Sequence, residues 1–270
     1  MQFLPSTSLA PYIKNYTVIA IDNDLDDEVF YPSGFVDLVI KFDGAAATTI
    51  NGRRKDTPSV ELLGHLTRPT RLSVKAGTTI LIARIYPYAS ALFFPDPLSV
   101  FTDYATDLYD VSTIMSKELY DRMIHASTIE DRIRLLDNYF LEQLRKHEKR
   151  LKKAGILLHL CNYVSNSDSF ELPALAQHAG MSERYIQQLY LANVGISPAA
   201  FAAVTRFNKS LHLLRTAKVS LTDIAYECGY YDQAHFIRIF KQFTGIVPSA
   251  ARRSLVKNDE SFQQAVNIGF

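Results

Sequence analysis

The sequence has few of the features that identify secreted, membrane or disulfide-linked proteins. Its 270 residues include only two cysteines, Cys161 and Cys228, which lie in helical apolar patterns and which we expect to be buried free thiols. No run approaches the roughly 18 uninterrupted apolar residues of a membrane span. The segment from Met1 to Ala10 lacks the basic and apolar regions of a secretory signal. We therefore expect a cytoplasmic protein that does not associate with membranes.

Motifs of common enzymes are missing as well. The sequence contains no P-loop and no Gly-x-Gly-x-x-Gly, and Ser33 in Pro-Ser-Gly-Phe is not in the Gly-x-Ser-x-Gly turn of a hydrolase. His65 is the only histidine before His125, no His-x-His occurs, and no Cys/His spacing suggests zinc. We therefore expect a protein that is not an enzyme and that has no metal site and no cofactor.

Charge is divided unequally along the chain. Residues 1–145 carry 14 Lys/Arg against 19 Asp/Glu, whereas residues 146–270 carry 15 against 9. An acidic half joined to a basic half is what a sensor fused to a nucleic-acid-binding domain would show. The basic run 146–153 is either a solvated helix end or linker, or an additional attraction for DNA phosphates.

The first hundred residues have the pattern of a β-rich domain. Asn51-Gly52 is typical of a two-residue hairpin, and the spacing of the turn signals favours a β-sandwich or barrel over a parallel sheet with crossover helices. Short runs of β-branched and aromatic residues predict strands near 16–21, 36–42, 71–74 and 79–86.

The pattern becomes helical near Thr113 and remains so to the end of the basic run. We therefore divide the chain into segments that differ in pattern. The predicted boundaries are a β-rich sensor-like domain over 1–112, a helical linker or dimerisation region over 113–153, a helical DNA-binding domain over 154–255 and a C-terminal tail over 256–270.

The helical C-terminal part contains an internal repeat. The pattern Leu-x-x-Leu-Ala-x-x-Ala-Gly-Met that begins at Leu172 recurs 49 residues later as Leu-x-x-Ile-Ala-x-x-Cys-Gly-Tyr from Leu221. After one inserted residue the match continues at an offset of 50, so that Gly-Ile-Ser-Pro from Gly195 pairs with Gly-Ile-Val-Pro from Gly245. A match kept in register over about 27 residues predicts two copies of one structural unit.

Each copy has the pattern of a helix-turn-helix. Gly180 or Gly229 ends the first short helix, because glycine tolerates a left-handed backbone. Ser182 or Asp232 follows as the N-cap of the second helix, which can enter the major groove of DNA. Between the copies, residues 198–216 predict one amphipathic helix about 27 Å long, close to the ~34 Å between successive major-groove faces of DNA.

The second helix of each copy has a polar face opposite its apolar stripe. Arginine suits guanine, glutamine suits adenine, and an outward apolar residue such as Ile237 suits a thymine methyl. Ordinary solvated helix faces have a similar composition, and this alternative stays open, for His235 in particular.

The second copy resembles the AraC/XylS family of bacterial transcription regulators. The segment from Ala225 to Lys241, followed by Gly245 and Pro248, matches the family signature, although Ala251 replaces the aromatic residue that usually precedes the terminal arginine. The resemblance covers about residues 155–253 and implies that the two second helices contact bases. The implied base contacts are Arg184, Gln187, Gln188, Gln233, His235, Ile237 and Arg238. The implied phosphate contacts are Ser182, Ser197 and Lys241.

The N-terminal part is similar to uncharacterised sensor domains attached to one branch of this family, on Tyr31-Pro-Ser-Gly, Asp37-Leu38 and the glycines that follow. The resemblance implies a β-rich, cupin-like fold followed by helices that can dimerise. No motif encodes a ligand, so the ligand-binding residues stay unknown.

We therefore predict an α+β protein with a sandwich or cupin-like N-terminal domain and an all-α C-terminal domain of two helix-turn-helix units. The predicted function is a sequence-specific regulator of transcription that binds double-stranded DNA through the major groove and responds to a small molecule. The alternative is a small-molecule-binding protein of the same architecture with little DNA-binding role. The predicted partners are DNA, an effector, a second copy of the chain and, for an activator, RNA polymerase.

Overall fold

A computed structural model describes residues 1–94, 97–108, 117–167, 169–216 and 219–257, the side chains of 254–257 excepted. The predicted change of pattern at Thr113 and the predicted tail beyond residue 257 lie outside these ranges. Strands occupy the N-terminal part of the described chain and helices the C-terminal part, which confirms the α+β prediction.

The N-terminal domain is a β-sandwich. The strands of the described residues are β1 (Gln2–Phe3), β2 (Ile13–Ala20), β3 (Leu25–Phe30), β4 (Val36–Asp43), β5 (Ala46–Ile50), β6 (Arg53–Asp56), β7 (Val60–Leu63), β8 (Thr70–Val74), β9 (Thr79–Ile85) and β10 (Ala105–Asp107). They form a six-stranded antiparallel sheet in the order β1-β2-β9-β4-β7-β10 and a four-stranded antiparallel sheet in the order β3-β8-β5-β6. The Asn51-Gly52 hairpin prediction is confirmed: both residues have positive φ (52° and 74°) and join β5 to β6.

Both faces of the six-stranded sheet are buried. Because side chains alternate along each strand, successive residues belong to different sides of the sheet. Leu38 on β4 and Leu62 on β7 pack into a large core on the helical side. Their neighbours Val39 and Glu61 point the other way, into the space between the two sheets. This alternation places charged and apolar side chains together inside the sandwich.

Helices follow the sandwich. The helices of the described residues are α1 (Ser90–Phe93), α2 (Lys117–Ile124), α3 (Ile129–Lys146), α4 (Leu151–Asn166), α5 (Leu172–Ala179), α6 (Glu183–Asn193), α7 (Pro198–Thr216), α8 (Leu221–Glu227), α9 (Gln233–Thr244) and α10 (Pro248–Lys257). Helices α2 and α3 pack on the six-stranded sheet: Met123 and Phe140 belong to its helical-side core. The Tyr16 hydroxyl donates a 2.5 Å hydrogen bond to Asp137 on α3, so these helices are bound to the N-terminal domain.

The basic run 146–153 closes α3 and begins α4. Within it, Arg150 Nη1 donates a hydrogen bond to the carbonyl oxygen of Ala91 (2.8 Å), and Nδ1 of His147 lies 3.0 Å from that of Leu92. Lys146 pairs with Glu142 one turn earlier, at 2.7 Å. These intramolecular contacts support the helix-end interpretation of the run over the phosphate-contact interpretation.

Candidate nucleic-acid interface

Two helix-turn-helix units form the C-terminal domain, α5–α6 and α8–α9. Gly180 and Gly229 have φ of +62° and +71° between the helices of each pair. The Ser182 hydroxyl accepts a hydrogen bond from the backbone N–H of Tyr185 (3.2 Å) and caps α6. Asp232 accepts one from the backbone N–H of His235 (2.6 Å) and caps α9. The predicted turns and caps are therefore confirmed in both copies.

Helix α7 joins the two units and belongs to the hydrophobic core of both. Phe201 near its start packs with Ile186 and Tyr190 of α6. Phe207 at its midpoint packs against Phe240 of α9, with ring centroids 5.5 Å apart. With 19 residues, α7 is about 28 Å long, so one rigid helix sets the separation of the two units.

The outward face of α6 has the predicted composition. Arg184, Gln187 and Gln188 are exposed to solvent, whereas Ile186 and Leu189 are buried beneath them. The three polar side chains lie at the positions expected of base contacts on a recognition helix.

The outward face of α9 is more constrained. Arg238 is exposed, and Ile237 is half-buried. Gln233 accepts a 2.8 Å hydrogen bond from the Thr222 hydroxyl on α8. The Nδ1 atom of His235 accepts one from the backbone N–H of Tyr231 (3.4 Å). In this structure Gln233 and His235 therefore have intramolecular partners, which they would have to give up or share in order to contact bases.

A partly buried residue departs from the predicted stripe of α9. The spacing of Phe236, Ile239, Phe240 and Phe243 predicts that all four lie on the apolar stripe of α9, but Ile239 is only half-buried and packs at the edge of the core. A stripe of three phenylalanines already fills the space beneath α9, because their rings pack on one another and on α7.

The three predicted phosphate contacts occupy different environments. Lys241 is exposed on α9, and Ser182 is exposed at the start of α6. Ser197 is half-buried at the start of α7, where its hydroxyl accepts a hydrogen bond from the backbone N–H of Ala200 (3.2 Å). Arg252, the terminal arginine of the family signature, donates to the backbone carbonyl of Val219 (2.9 Å), and so links α10 to the segment that precedes α8.

Two exposed tyrosines beside the recognition helices were not among the predicted contacts. Tyr231 is 86% exposed immediately before the cap of α9, and Tyr185 is 49% exposed in the first turn of α6. Tyrosine offers a large apolar ring together with a polar hydroxyl group, a combination that suits a contact surface. The signal was present in the sequence, because each tyrosine lies next to a predicted cap and outside the apolar stripe.

Basic side chains of α7 brace the second unit. Arg206 Nη1 donates to the carbonyl oxygen of Gly229 in the turn (3.3 Å), and Lys209 Nζ donates to that of Glu227 at the end of α8 (2.6 Å). Cations at these carbonyls complement the negative end of α8. The turn that orients α9 is therefore fixed from α7.

The sandwich contacts both helix-turn-helix units. The Thr102 hydroxyl donates a 2.6 Å hydrogen bond to the carbonyl oxygen of Gly195, just after α6. The Asn208 amide on α7 donates to the carbonyl oxygen of Ser33 (3.0 Å), and Tyr31 lies edge-on to Phe207. Ser33 and Asn208 also line a cleft of about 430 Å³, to which both domains contribute.

Both cysteine thiols are buried and stay protonated near neutral pH. Cys161 and Cys228 are buried and free, as predicted. Burial raises the pKa of Cys161 to about 12 and that of Cys228 to about 11, so neither forms a thiolate near neutral pH. Among the described residues, no helix is long and apolar enough to cross a bilayer, and no group of His, Cys, Asp and Glu is arranged to hold a metal ion.

Family comparisons agree with the repeat. Residues 175–254 match a family described as a helix-turn-helix domain, and residues 1–107 match a domain of unknown function (DUF6597). The arabinose operon regulatory protein of Escherichia coli K12 is 28% identical over 148 residues, which cover 50% of each chain. The transcriptional activator RhaS of Escherichia coli O139:H28 is 33% identical over 76 residues, 28% of this chain and 27% of that one.

The chain spans about half the length of the curated relatives it matches. Among solved structures, ToxT of Vibrio cholerae bound to an unsaturated fatty acid is similar at 14% identity and a TM-score of 0.48, over 91% of this chain and 97% of that one. Residues 175–254 therefore match a helix-turn-helix domain, and part of the chain is similar to the arabinose operon regulatory protein and to RhaS.

Proposed function

We propose that the protein is a sequence-specific, DNA-binding regulator of transcription whose sandwich domain binds a small-molecule effector. The observation that carries the proposal is the pair of outward polar faces on α6 and α9, held on one rigid helix. Arginine and glutamine on recognition helices have the donors and acceptors that distinguish base pairs in the major groove. Each unit would occupy one major-groove segment on the same side of the duplex.

Among the proposed base contacts, Arg184, Gln187, Gln188 and Arg238 are the ones that the structure leaves exposed. Ile237 is half-buried and would offer a methyl contact to thymine. Gln233 and His235 would serve only after exchanging their present hydrogen bonds. Ser182, Ser197 and Lys241 would position the protein on phosphates.

Gel-shift titrations with DNA upstream of the neighbouring genes test the proposal. We expect Arg238→Ala to weaken binding to the preferred site by about 1–3 kcal/mol and to relax the preference at one base pair. Arg122→Ala, at an exposed arginine on α2, is the matched control and should leave binding unchanged. An equal loss on preferred and random DNA would reassign Arg238 to phosphate contact.

The alternative function, a small-molecule-binding protein with little DNA-binding role, predicts that no upstream DNA is bound even at low salt. The cleft of about 430 Å³ between the domains would be consistent with either function. We propose that the regulator acts in the bacterial cytoplasm, where its DNA is located. A homodimer and, for an activator, contact with RNA polymerase are further proposals that sedimentation and pull-down experiments test.

A further inference from the structure

Glu61 is a buried acid in the middle of the sandwich. It lies on β7 between β4 and β10, opposite Val39 and Asp107, and only 3% of the residue is exposed. Its Oε2 atom is buried and has no hydrogen-bond partner among the described residues. A buried polar atom without a partner is unfavourable, and one that faces a cavity can be satisfied by a water molecule, an ion or a ligand that enters it.

Two cavities meet at Glu61. An inner cavity of about 40 Å³ lies between the two sheets, lined mainly by apolar side chains such as Leu72 and Ile82. An outer cavity of about 460 Å³ opens at the edge of the sandwich, beside Arg53 and Tyr104. Glu61 and Thr48 line both cavities. The carboxyl group therefore lies at the junction of a polar entrance and an apolar interior.

The groups around Glu61 act on its protonation state in opposite directions. Burial raises the pKa of Glu61 to about 7, Lys55 and Lys41 act to lower it, and Asp107 acts to raise it. Lys41 Nζ donates to the carbonyl oxygen of Thr57 (2.8 Å) rather than to Glu61. A ligand donor that reached Oε2 would supply the missing hydrogen bond, and a cationic donor would also fix the carboxylate form.

We infer that this junction is the effector site, with Glu61 as the group that binds a hydrogen-bond donor at the end of a short apolar molecule. The inner cavity would hold a few carbon atoms, and the outer cavity would hold any polar remainder. An anionic group is disfavoured in the inner cavity, because it would face the side chains of Glu61 and Asp37, whereas Arg53 and Lys55 line the outer cavity. The inference rests on the proposed function, since it names the site of the proposed effector.

A short, tightly packed path joins this site to α6. Asp103 and Tyr104 line the outer cavity, and the adjacent Thr102 donates to Gly195 at the end of the first helix-turn-helix unit. Asp103 has a φ of +55°, which is strained for a residue with a side chain. Its carboxylate accepts hydrogen bonds from both the N–H and the hydroxyl of Thr67, each 2.6 Å.

The packing along this path leaves little freedom. A Cβ atom added at Gly64 would lie 2.1 Å from the carbonyl oxygen of Phe101, and one added at Gly195 would lie 3.2 Å from that of Leu98. Residues 98–104 are therefore clamped between β7 and the end of α6. A ligand that displaced Asp103 or Tyr104 would move the hydrogen-bonded Thr102, and with it the first recognition helix.

Thermal-shift titrations of the full chain at pH 7 test the site with 1-butylamine, 1-butanol and butyrate as probes. We expect a saturable rise in Tm with the amine, the alcohol or both, and none with butyrate. A rise in Tm with the amine alone would indicate a cationic effector. Equal rises with the amine and the alcohol would indicate a neutral hydrogen-bond donor. Absence of a response to both donors, or an equal response to butyrate, would overturn the inference.

Two variants test whether the rise in Tm comes from binding at the junction of the two cavities. Glu61→Gln keeps the shape and removes the carboxylate, and Ala46→Val fills part of the inner cavity while Glu61 remains. Ala46→Val should abolish the shift with either probe, and Glu61→Gln should abolish the shift with the amine, whereas its amide oxygen can still accept a hydrogen bond from the alcohol. Glu118→Gln, at an exposed glutamate on α2, should retain both shifts. A shift that persists in Glu61→Gln and Ala46→Val would place the probe elsewhere.

The coupling is tested separately on DNA. Thr102→Val removes the hydrogen bond to Gly195 and keeps the side-chain shape. We expect this variant to retain the probe-induced rise in Tm and to lose any probe-induced change in DNA affinity. Probe binding with no effect on DNA affinity in the unmodified chain would overturn the coupling path. Failure to bind any DNA, with the thermal shift intact, would overturn the proposed function and leave the ligand site standing.

Discussion

Two glycines with positive φ allow the contribution of the contact between the domains to the stability of the protein to be measured. Gly180 and Gly195 both have positive φ, +62° and +97°. A Cβ atom at Gly180 would meet nothing within 4 Å, whereas one at Gly195 would lie 3.2 Å from the Leu98 carbonyl oxygen and 3.3 Å from the Thr102 hydroxyl. Alanine at Gly180 costs about 1–2 kcal/mol for the left-handed backbone. Alanine at Gly195 has at least this backbone cost, because its φ lies further from the range that side chains adopt, so most of the backbone cost is common to the two variants.

The difference in stability loss between the two alanine variants then measures how strongly residues 98–102 are packed against the end of α6. Gly195→Ala must also push apart the Thr102–Gly195 contact, and a lost hydrogen bond costs a further ~1 kcal/mol or more. We expect Gly195→Ala to lose clearly more stability than Gly180→Ala, measured as urea midpoints followed by tyrosine fluorescence. Equal losses would refute the reasoning, because they would mean that residues 98–102 do not constrain the end of α6.

Two further outcomes follow from exposed and buried groups described above. Because burial raises the pKa of Glu61 to about 7, folding holds its proton up to neutral pH, and the contribution of this group to stability falls as pH rises from about 4.5 through 7, by an amount on the order of a few kcal/mol. The buried His65 acts in the opposite sense below about pH 6.5, because burial lowers its pKa to about 4. The Tm of the unmodified chain minus that of Glu61→Gln should therefore fall between pH 5 and 8, and a difference that does not change with pH would contradict the prediction. Tyr231→Ala should leave Tm unchanged, because the side chain is 86% exposed, and should weaken DNA binding in gel shifts, whereas Leu4→Ala, at an 82% exposed position of the N-terminal domain, should change neither.

The helix-turn-helix units could be predicted closely because their determinants are local. A glycine at a left-handed position, a cap two or three residues later and an apolar stripe are all contained within about 25 residues. The structure confirms the turns at Gly180 and Gly229 and the caps at Ser182 and Asp232. The intramolecular partner of Gln233 was not predictable, because it depends on how α8 and α9 cross.

The candidate effector site could not be predicted from the sequence. Glu61 lies on a strand of four residues, too short for alternation to stand out, and its burial comes from strands far away in the chain. The bond from Thr102 to Gly195 joins residues 93 positions apart. The packing of α2 and α3 on the sheet is likewise long-range, so helical periodicity alone could not distinguish a free linker from an attached pair of helices.

The shared helix α7 limits which DNA sequences the protein could bind. A single helix about 28 Å long cannot stretch or twist appreciably, yet successive major-groove faces of straight DNA are ~34 Å apart. If the length of α7 sets the separation of the two units, the duplex would have to make up the difference by bending toward the protein, at an energy that depends on its base steps. Flexible base steps midway between the two contacted segments would then favour binding without being touched. Inserting about half a helical turn of DNA there would abolish binding rather than weaken it gradually.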